Sequence, residues 1–257
     1  MTEASLMSLV RSALRWVKRV IEDWTFALRM KFGRKIMFDE QRQIVQTSAT
    51  ELIKGPCTEQ ELEAMQYVAT HTTVSLPQVH RTYRRANGLY IAMDFVVGDR
   101  FDHLWGGLNK AERRSAVESI WEHLAELRAC TPSPKLGVAV GSIEGGPVRD
   151  GILGQKSVGP FATIEEFHGT LNGNPNLVEH CGLWDISDPD RHVHSVLAHA
   201  DIAPRNIIRR HSDGQFVIID WECAGWWPNY WEFIKWHFSD FPLLSGWVDM
   251  LDEISYL

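Results

Sequence analysis

The chain has 257 residues and a mass of 29.4 kDa, enough for one large domain or two small lobes with a real core. Its 44% hydrophobic and 23% charged composition excludes a disordered chain, a collagen-like repeat and a coiled-coil rod, and no run of about 18 uncharged apolar residues offers a membrane-spanning helix. The net charge of −7 argues against nucleic acid as a partner, but residues 1–35 hold eight Lys/Arg against three Asp/Glu, so a +5 segment is joined to a −12 remainder.

Residues 4–30 predict one amphipathic helix. Leu6, Leu9, Ala13, Val17, Val20, Ile21, Trp24 and Leu28 recur mostly at spacings of three and four, and Arg11, Arg15, Lys18 and Arg19 fill other faces. The reading adopted is a helix docked on the acidic body, with its apolar stripe buried. The alternatives are a membrane-surface helix and a transit peptide, and Glu3, Glu22 and Asp23 count against the latter. The N-terminus lacks a long apolar core before a small-residue cleavage site, so no secretory signal is expected. The dispersed Cys57, Cys130, Cys181 and Cys223 form no CxxC pair and predict free thiols in a reducing, cytoplasmic setting.

Residues 36–54 predict short strands, broken by Gly55-Pro56. Thr58 lies three residues before Glu61, a capping-box spacing, and opens a helix that fades near His71. Gly88 separates the runs Val79–Tyr83 and Leu89–Val97, which predicts a hairpin. A strongly periodic helix is expected over 109–129, with Ala116, Ile120, Leu124 and Leu127 on one face. Residues 131–160 read as a Gly- and Pro-rich loop, residues 161–180 as helical in part, and an aromatic helical segment is expected from about Tyr230.

The segment from His199 to Glu222 carries the chemistry. His199, Asp201 and Asn206 fit H-x-D-x-x-x-x-N, and the apolar run Val217–Ile219 ends in Asp220. Between them Ile207, Ile208, the turn Ser212-Asp213-Gly214 and Phe216–Ile219 predict a hairpin, whose meeting ends bring Asn206 towards Asp220. Asp220 and Asn206 offer hard oxygen ligands, which suit Mg²⁺. Asp201, five residues before Asn206, is placed to orient a hydroxyl and accept its proton. Phosphoryl transfer needs positioning, metal neutralisation and one acid to handle the nucleophile, and this set supplies those parts.

These residues resemble the catalytic arrangement of the protein-kinase-like fold. The run from Ala198 to Ile208, with the later Val217–Glu222 and Gly225–Glu232, is similar to the aminoglycoside phosphotransferase and choline kinase-like group, especially its large fungal set. The resemblance is close over 197–232, loose over 50–130 and absent from 1–35. It implies that Asp201 is the catalytic aspartate, Asn206 and Asp220 the metal ligands, and His199 a structural hydrogen-bonding residue, with Arg205 and Glu222 in supporting places. It further implies that Lys54 holds the ATP phosphates and pairs with Glu61, with Glu59 and Glu63 as rivals that helical phase does not separate, and that the backbone around Met93, Asp94 and Val96 contacts adenine. ATP and Mg²⁺ are the implied cofactors. Two departures stand out: no G-x-G-x-x-G precedes Lys54, and Ala200 replaces the family's glycine.

The same residues admit other readings. His192, His194, His199 and Asp201 could be taken for a zinc hydrolase site, but the spacing is too loose. Trp226, Trp227, Trp231 and Trp236 are read as core in preference to a cage for a quaternary ammonium. Glu222, Glu232 and Asp240 are read as a solvated face or an acidic lip for a cationic acceptor. The fold class expected is α+β: a two-lobed kinase-like fold with a helix at 1–34, a sheet-containing N-lobe at 35–97 and a mainly helical C-lobe at 98–257, and ATP in the cleft between lobes. The function expected is transfer of the γ-phosphoryl group of ATP to a hydroxyl of a small molecule. The alternative is a catalytically silent kinase-like binding module.

Overall fold

A computed structural model describes residues 3–38, 42–154, 156–171, 192–237 and 244–255. The chain divides into two compact units, one of Met1–Pro56 with His80–Phe95 and one of Cys57–Val79 with Val96–Leu257. Unlike a single cut near residue 97, this division gives the helix after Thr58 to the second unit. That helix is tied there by Gln60, whose side chain donates to the Ala224 carbonyl (3.0 Å) and accepts from the Arg149 N–H (2.8 Å).

The first unit holds α1 (Glu3–Phe32) and a five-stranded sheet in the order β1-β2-β3-β5-β4. The strands are β1 (Arg34–Phe38), β2 (Gln43–Gln46), β3 (Glu51–Cys57), β4 (Val79–Arg85) and β5 (Gly88–Asp94). The hairpin expected around Gly88 is β4–β5. The break expected at Gly55-Pro56 is not there: β3 continues to Cys57, and Gly55 pairs with Gln43 of β2. The glycine answers a close approach, since a Cβ at this position would run into the Tyr90 ring.

The burial expected for the apolar stripe of α1 is also corrected. Phe26 and Met30 pack against Ile53, Tyr83, Tyr90 and Ala92. Val17, Ile21, Trp24 and Leu28 stay exposed. The side chains of Leu6 and Leu9 lie outside the described residues. Ion pairs hold the docked flank, Arg29 to Glu51 at 2.7 Å and Arg85 to Asp23. The stripe with the strongest period is therefore not the one the sheet uses.

In the second unit, α2 (Glu59–His71) starts where the spacing predicts: the Thr58 hydroxyl accepts from the Glu61 N–H at 3.2 Å. After β6 (Gly98–Arg100) and α3 (Phe101–Leu104) comes α4 (Lys110–Arg128). Asn109 caps α4 through a full capping box with Glu112, an end worth about 1 kcal/mol. Its face of Ala116, Ile120, Leu124 and Leu127 is buried, with Val117 added. The loop expected at 131–160 is pinned by short bridges, Val140 to Phe161, Gly141 to Trp226 and Val148 to Val158. Within 161–180 the described helix is α5 (Ile164–Leu171), and residues 172–180 lie outside the described residues.

Two small sheets carry the residues of interest. β7 (Ser195–Ala198) pairs antiparallel with β10 (Gly225–Pro228). β8 (Ile207–Arg210) lies between β6 and β9 (Phe216–Ile218), the predicted hairpin being β8–β9 with Ile207 opposite Ile218. Two helices, α6 (Trp231–His237) and α7 (Trp247–Ser255), follow. Trp226, Trp227, Trp231 and Trp236 are core, as expected, and each indole N–H has an acceptor: Ile143 O, Cys223 O, Asp150 Oδ2 and Asp252 Oδ1. Trp227 and Trp231 stack with centroids 5.2 Å apart, and Phe167 meets both edge-on.

Candidate active site

β7 is a fully apolar strand end, and it delivers His199, Ala200 and Asp201 into the second unit. His199 is completely buried and serves both neighbouring segments. Its Nδ1 accepts the Asp201 N–H (3.3 Å), so its Nε2 carries the proton and donates to the Ile219 carbonyl (3.1 Å). Trp221 closes its ring edge-on at 4.8 Å. With both ring nitrogens committed, His199 has none to give a zinc ion. Among the described residues, no group of three His, Cys, Asp or Glu side chains is placed to hold a metal.

Asp201 sits at the centre of a tight local network. The Arg205 guanidinium donates to both carboxylate oxygens at 2.9 Å. Asn206 Nδ2 donates to Asp201 Oδ2 (2.7 Å) and to the Asp201 carbonyl (2.9 Å). The Asp201 side chain nevertheless keeps 28% of its surface, so a ligand can reach it. Asn206 spends its amide N–H groups on Asp201, which leaves its Oδ1 as the acceptor end. Its own carbonyl accepts the Ile219 N–H at 2.9 Å. The hairpin β8–β9 thus joins Asn206 to the residue immediately before Asp220.

Asp220 itself has left-handed backbone angles, φ 66° and ψ 64°, uncommon for a non-glycine residue. It opens the short turn Trp221–Cys223, in which Glu222 is half-buried. Ala200 also has positive φ, 59°. This explains why a glycine suits the position, and it shows that alanine fits at the cost of some strain.

A residue that pattern reading misplaced holds this loop. Glu232, expected on a solvated face or acidic lip, is 3% exposed on α6. Its Oε2 accepts the Ala200 N–H (2.8 Å) and its Oε1 the Ile202 N–H (3.3 Å), so one carboxylate clamps the amides on both sides of Asp201. Arg128 supplies a positive charge within Coulombic reach. The signal for this role is spacing across thirty residues, which no local pattern records. Asp240, the third acid of that expectation, lies outside the described residues.

A second buried pair backs α6. Lys235 Nζ lies 3.0 Å from Asp150 Oδ1, and Trp231 and the Ile152 N–H complete the Asp150 carboxylate. Burial is the largest single influence and would lower the Lys235 ammonium, but the charge and hydrogen bond of Asp150, with Cys223 and Asp201, together outweigh it and raise it above its ordinary value. Burial, then the charge of Asp150, pushes the Cys223 thiol far above its usual range, so it is no nucleophile near neutral pH.

Of the remaining expected site residues, Glu61 is buried on α2, and Val96 is half-buried just before β6. In the first unit Lys54 is 8% exposed on β3, opposite Ile44, and Met93 is buried at the end of β5. Asp94 Oδ1 accepts a hydrogen bond from His80 Nε2 at 2.7 Å.

A small antiparallel sheet, a mainly helical unit and an H-x-D loop hydrogen-bonded to the residue before Asp220 define a kinase-like α+β fold. The phosphotransferase enzyme family, APH, matches residues 55–253, and the chain belongs to that family. No curated protein sequence matches the chain. Among solved structures it is similar to the gentamicin complex of APH(2'')-IIa, with a TM-score of 0.61 and 12% identity over 93% of this chain and 81% of that one. It is also similar to APH(3'')-Id from Streptomyces rimosus ATCC10970 in complex with ADP and streptomycin (0.51, 15%, 92% and 90%). A third, ADP-bound APH(2'')-Ib, gives 0.54 at 14% identity over 84% and 73%.

Proposed function

We propose that this protein moves the γ-phosphoryl group of ATP to a hydroxyl of a small molecule. The observation that carries the reading is the network at Asp201. A partly exposed carboxylate is fixed by Arg205 and Asn206, its flanking amides are clamped by Glu232, and the hairpin ties Asn206 to the residue before Asp220. Asp201 orients the acceptor hydroxyl and takes its proton, a role a carboxylate with free lone pairs can fill. Arg205 fixes the rotamer from which it does so. His199 fixes the loop and touches no reactant.

The donor set fits a hard cation: Asn206 presents Oδ1 and Asp220 a carboxylate, and no softer ligand stands among them. A bound Mg²⁺ would neutralise the charge that builds on the phosphates. Asn206 and Asp220 would hold it, with Glu222 in support. Lys54 would hold the nucleotide phosphates with Glu61 as its partner, and the backbone at Met93, Asp94 and Val96 would meet adenine. The run from Trp221 to Glu232 supports a place in the fungal-type subgroup. A reducing, cytoplasmic setting is the one that four dispersed cysteines with no CxxC pair suit.

A silent binding module is not favoured, because Ala200 keeps its N–H on Glu232 and the loop keeps its shape. The test is a panel of small hydroxyl compounds, read as acceptor-dependent ADP release, with Asp201→Asn as control. Streptomycin and gentamicin, carried by the similar structures, are suitable first members. An acceptor that raises ADP release in the native chain only supports the reading. Mg-dependent ATP binding with no turnover on any acceptor makes the protein a binding module.

A further inference from the structure

α1 carries far more apolar surface than its own unit covers. Phe26 and Met30 meet the sheet, and Asp23 and Arg29 add ion pairs on the same side. Trp16, Val17, Ile21, Trp24, Leu28 and Phe32 remain between 45% and 74% exposed. At about 3.6 residues per turn these six fall within roughly half of the helix circumference, and all but Trp16, which lies towards the Met30 edge, are opposite Phe26 and Met30. Monomers rarely keep such a face in water.

Its rim is cationic. Arg11 and Lys18 border the apolar sector on one edge, and Lys31 lies within it, long enough to lift its ammonium clear of the apolar surface. Of the two acids in the middle of the helix, Asp23 is already paired to Arg85 on the sheet side, and Glu22, one turn after Lys18, is half-buried on the sheet side of that edge. Two exposed tryptophans, apolar in body with a polar N–H, suit the boundary between headgroups and acyl chains. No helix among the described residues is long and apolar enough to cross a membrane, so α1 would lie along a surface, not through it.

We propose that this face of α1 is a docking surface for an anionic lipid bilayer. A second copy of the chain is the competing occupant, but pairing two such faces would bring two cationic rims together. Anionic headgroups neutralise the rim while the acyl boundary takes the apolar side chains. Because the sheet-facing flank and the exposed sector lie on opposite sides of α1, the helix meets a bilayer without leaving its sheet.

The test is co-sedimentation of the full chain with vesicles of phosphatidylcholine alone and of phosphatidylcholine with phosphatidylserine, together with its sedimentation velocity without lipid. The expected result is binding about tenfold or more tighter to the anionic vesicles, weakened by salt. Lys18→Ser should weaken it about fivefold, the worth of one cation at such a surface. Ile21→Glu with Trp24→Glu should abolish it while leaving the melting temperature in lipid-free buffer unchanged, since both side chains stand in solvent. Equal binding to both vesicles, or binding that survives the double substitution, would overturn the proposal. So would a lipid-free dimer that the double substitution dissolves, with no vesicle binding.

Discussion

Two tryptophan-bearing regions of this molecule obey different rules. Trp16 and Trp24 on α1 are each 67% exposed, whereas Trp226, Trp227, Trp231 and Trp236 are at most 2% exposed, with every indole N–H bonded. Both regions are read from sequence by the same signal, apolar residues at helical or strand spacing. The signal says that a face needs covering, and it is silent on what covers it. Around α6 the cover is the chain itself. On α1, among the described residues, the sheet core takes Phe26 and Met30 and leaves Trp16 and Trp24 in solvent.

The contrast predicts a wide gap between substitutions of the same type. Trp231→Ala removes a buried ring and leaves Asp150 short of a donor, and should cost about 3–5 kcal/mol in chemical denaturation. Trp24→Ala should change stability by less than about 0.5 kcal/mol. Similar losses at both positions would erase the distinction. Glu232→Ala should follow, at about 3 kcal/mol, because it strands the buried N–H groups of Ala200 and Ile202. Its signature beyond stability is a fall in turnover, since the loop carrying Asp201 loses its clamp.

Two histidines of the second unit supply a pH dependence. Burial, against the opposing charge of Glu165, lowers the pKa of His168, and its ring hydrogen-bonds the Tyr230 hydroxyl at 2.7 Å. Burial likewise lowers His123, against Glu126 and Glu122. With folded values below the ordinary 6.5, the unfolded chain takes up protons first. The stability these neutral rings contribute is whole above that pH and drains away as pH falls through it. His168→Gln should flatten the acid side of a melting temperature–pH profile, and an unchanged slope would remove His168 from the account. The smallest effect belongs to Ala200→Gly. Relief of the left-handed strain is partly offset by the freer unfolded chain, so stability should rise by less than about 1 kcal/mol.

Local chemistry was the legible part of this fold. Thr58 before Glu61, the turn at Ser212–Gly214 and the face of α4 each state a short-range interaction that the folded chain makes. Asn206 and Asp220 could be brought towards each other on paper because a hairpin has only one way to close. Glu232 could not be placed, since its partners Ala200 and Ile202 are thirty residues away and an isolated glutamate looks like surface. Gly55-Pro56 misled for a related reason: the glycine answers Tyr90, a neighbour from β5, and not a local turn. The stripe of α1 misled because amphipathicity carries no address.

In the proposed phosphotransfer, Asp201 acts on the acceptor while Asp220 acts on the metal-bound nucleotide. The most direct measurement pairs ATP affinity, with and without Mg²⁺, with acceptor-dependent turnover in Asp201→Asn and Asp220→Ala. Asp220→Ala should lose Mg-dependent ATP binding. Asp201→Asn should keep its Kd for ATP nearly unchanged and lose about a hundredfold or more in turnover. Equal loss of ATP binding in both variants, or full turnover in Asp201→Asn, would contradict the division of labour on which the account rests.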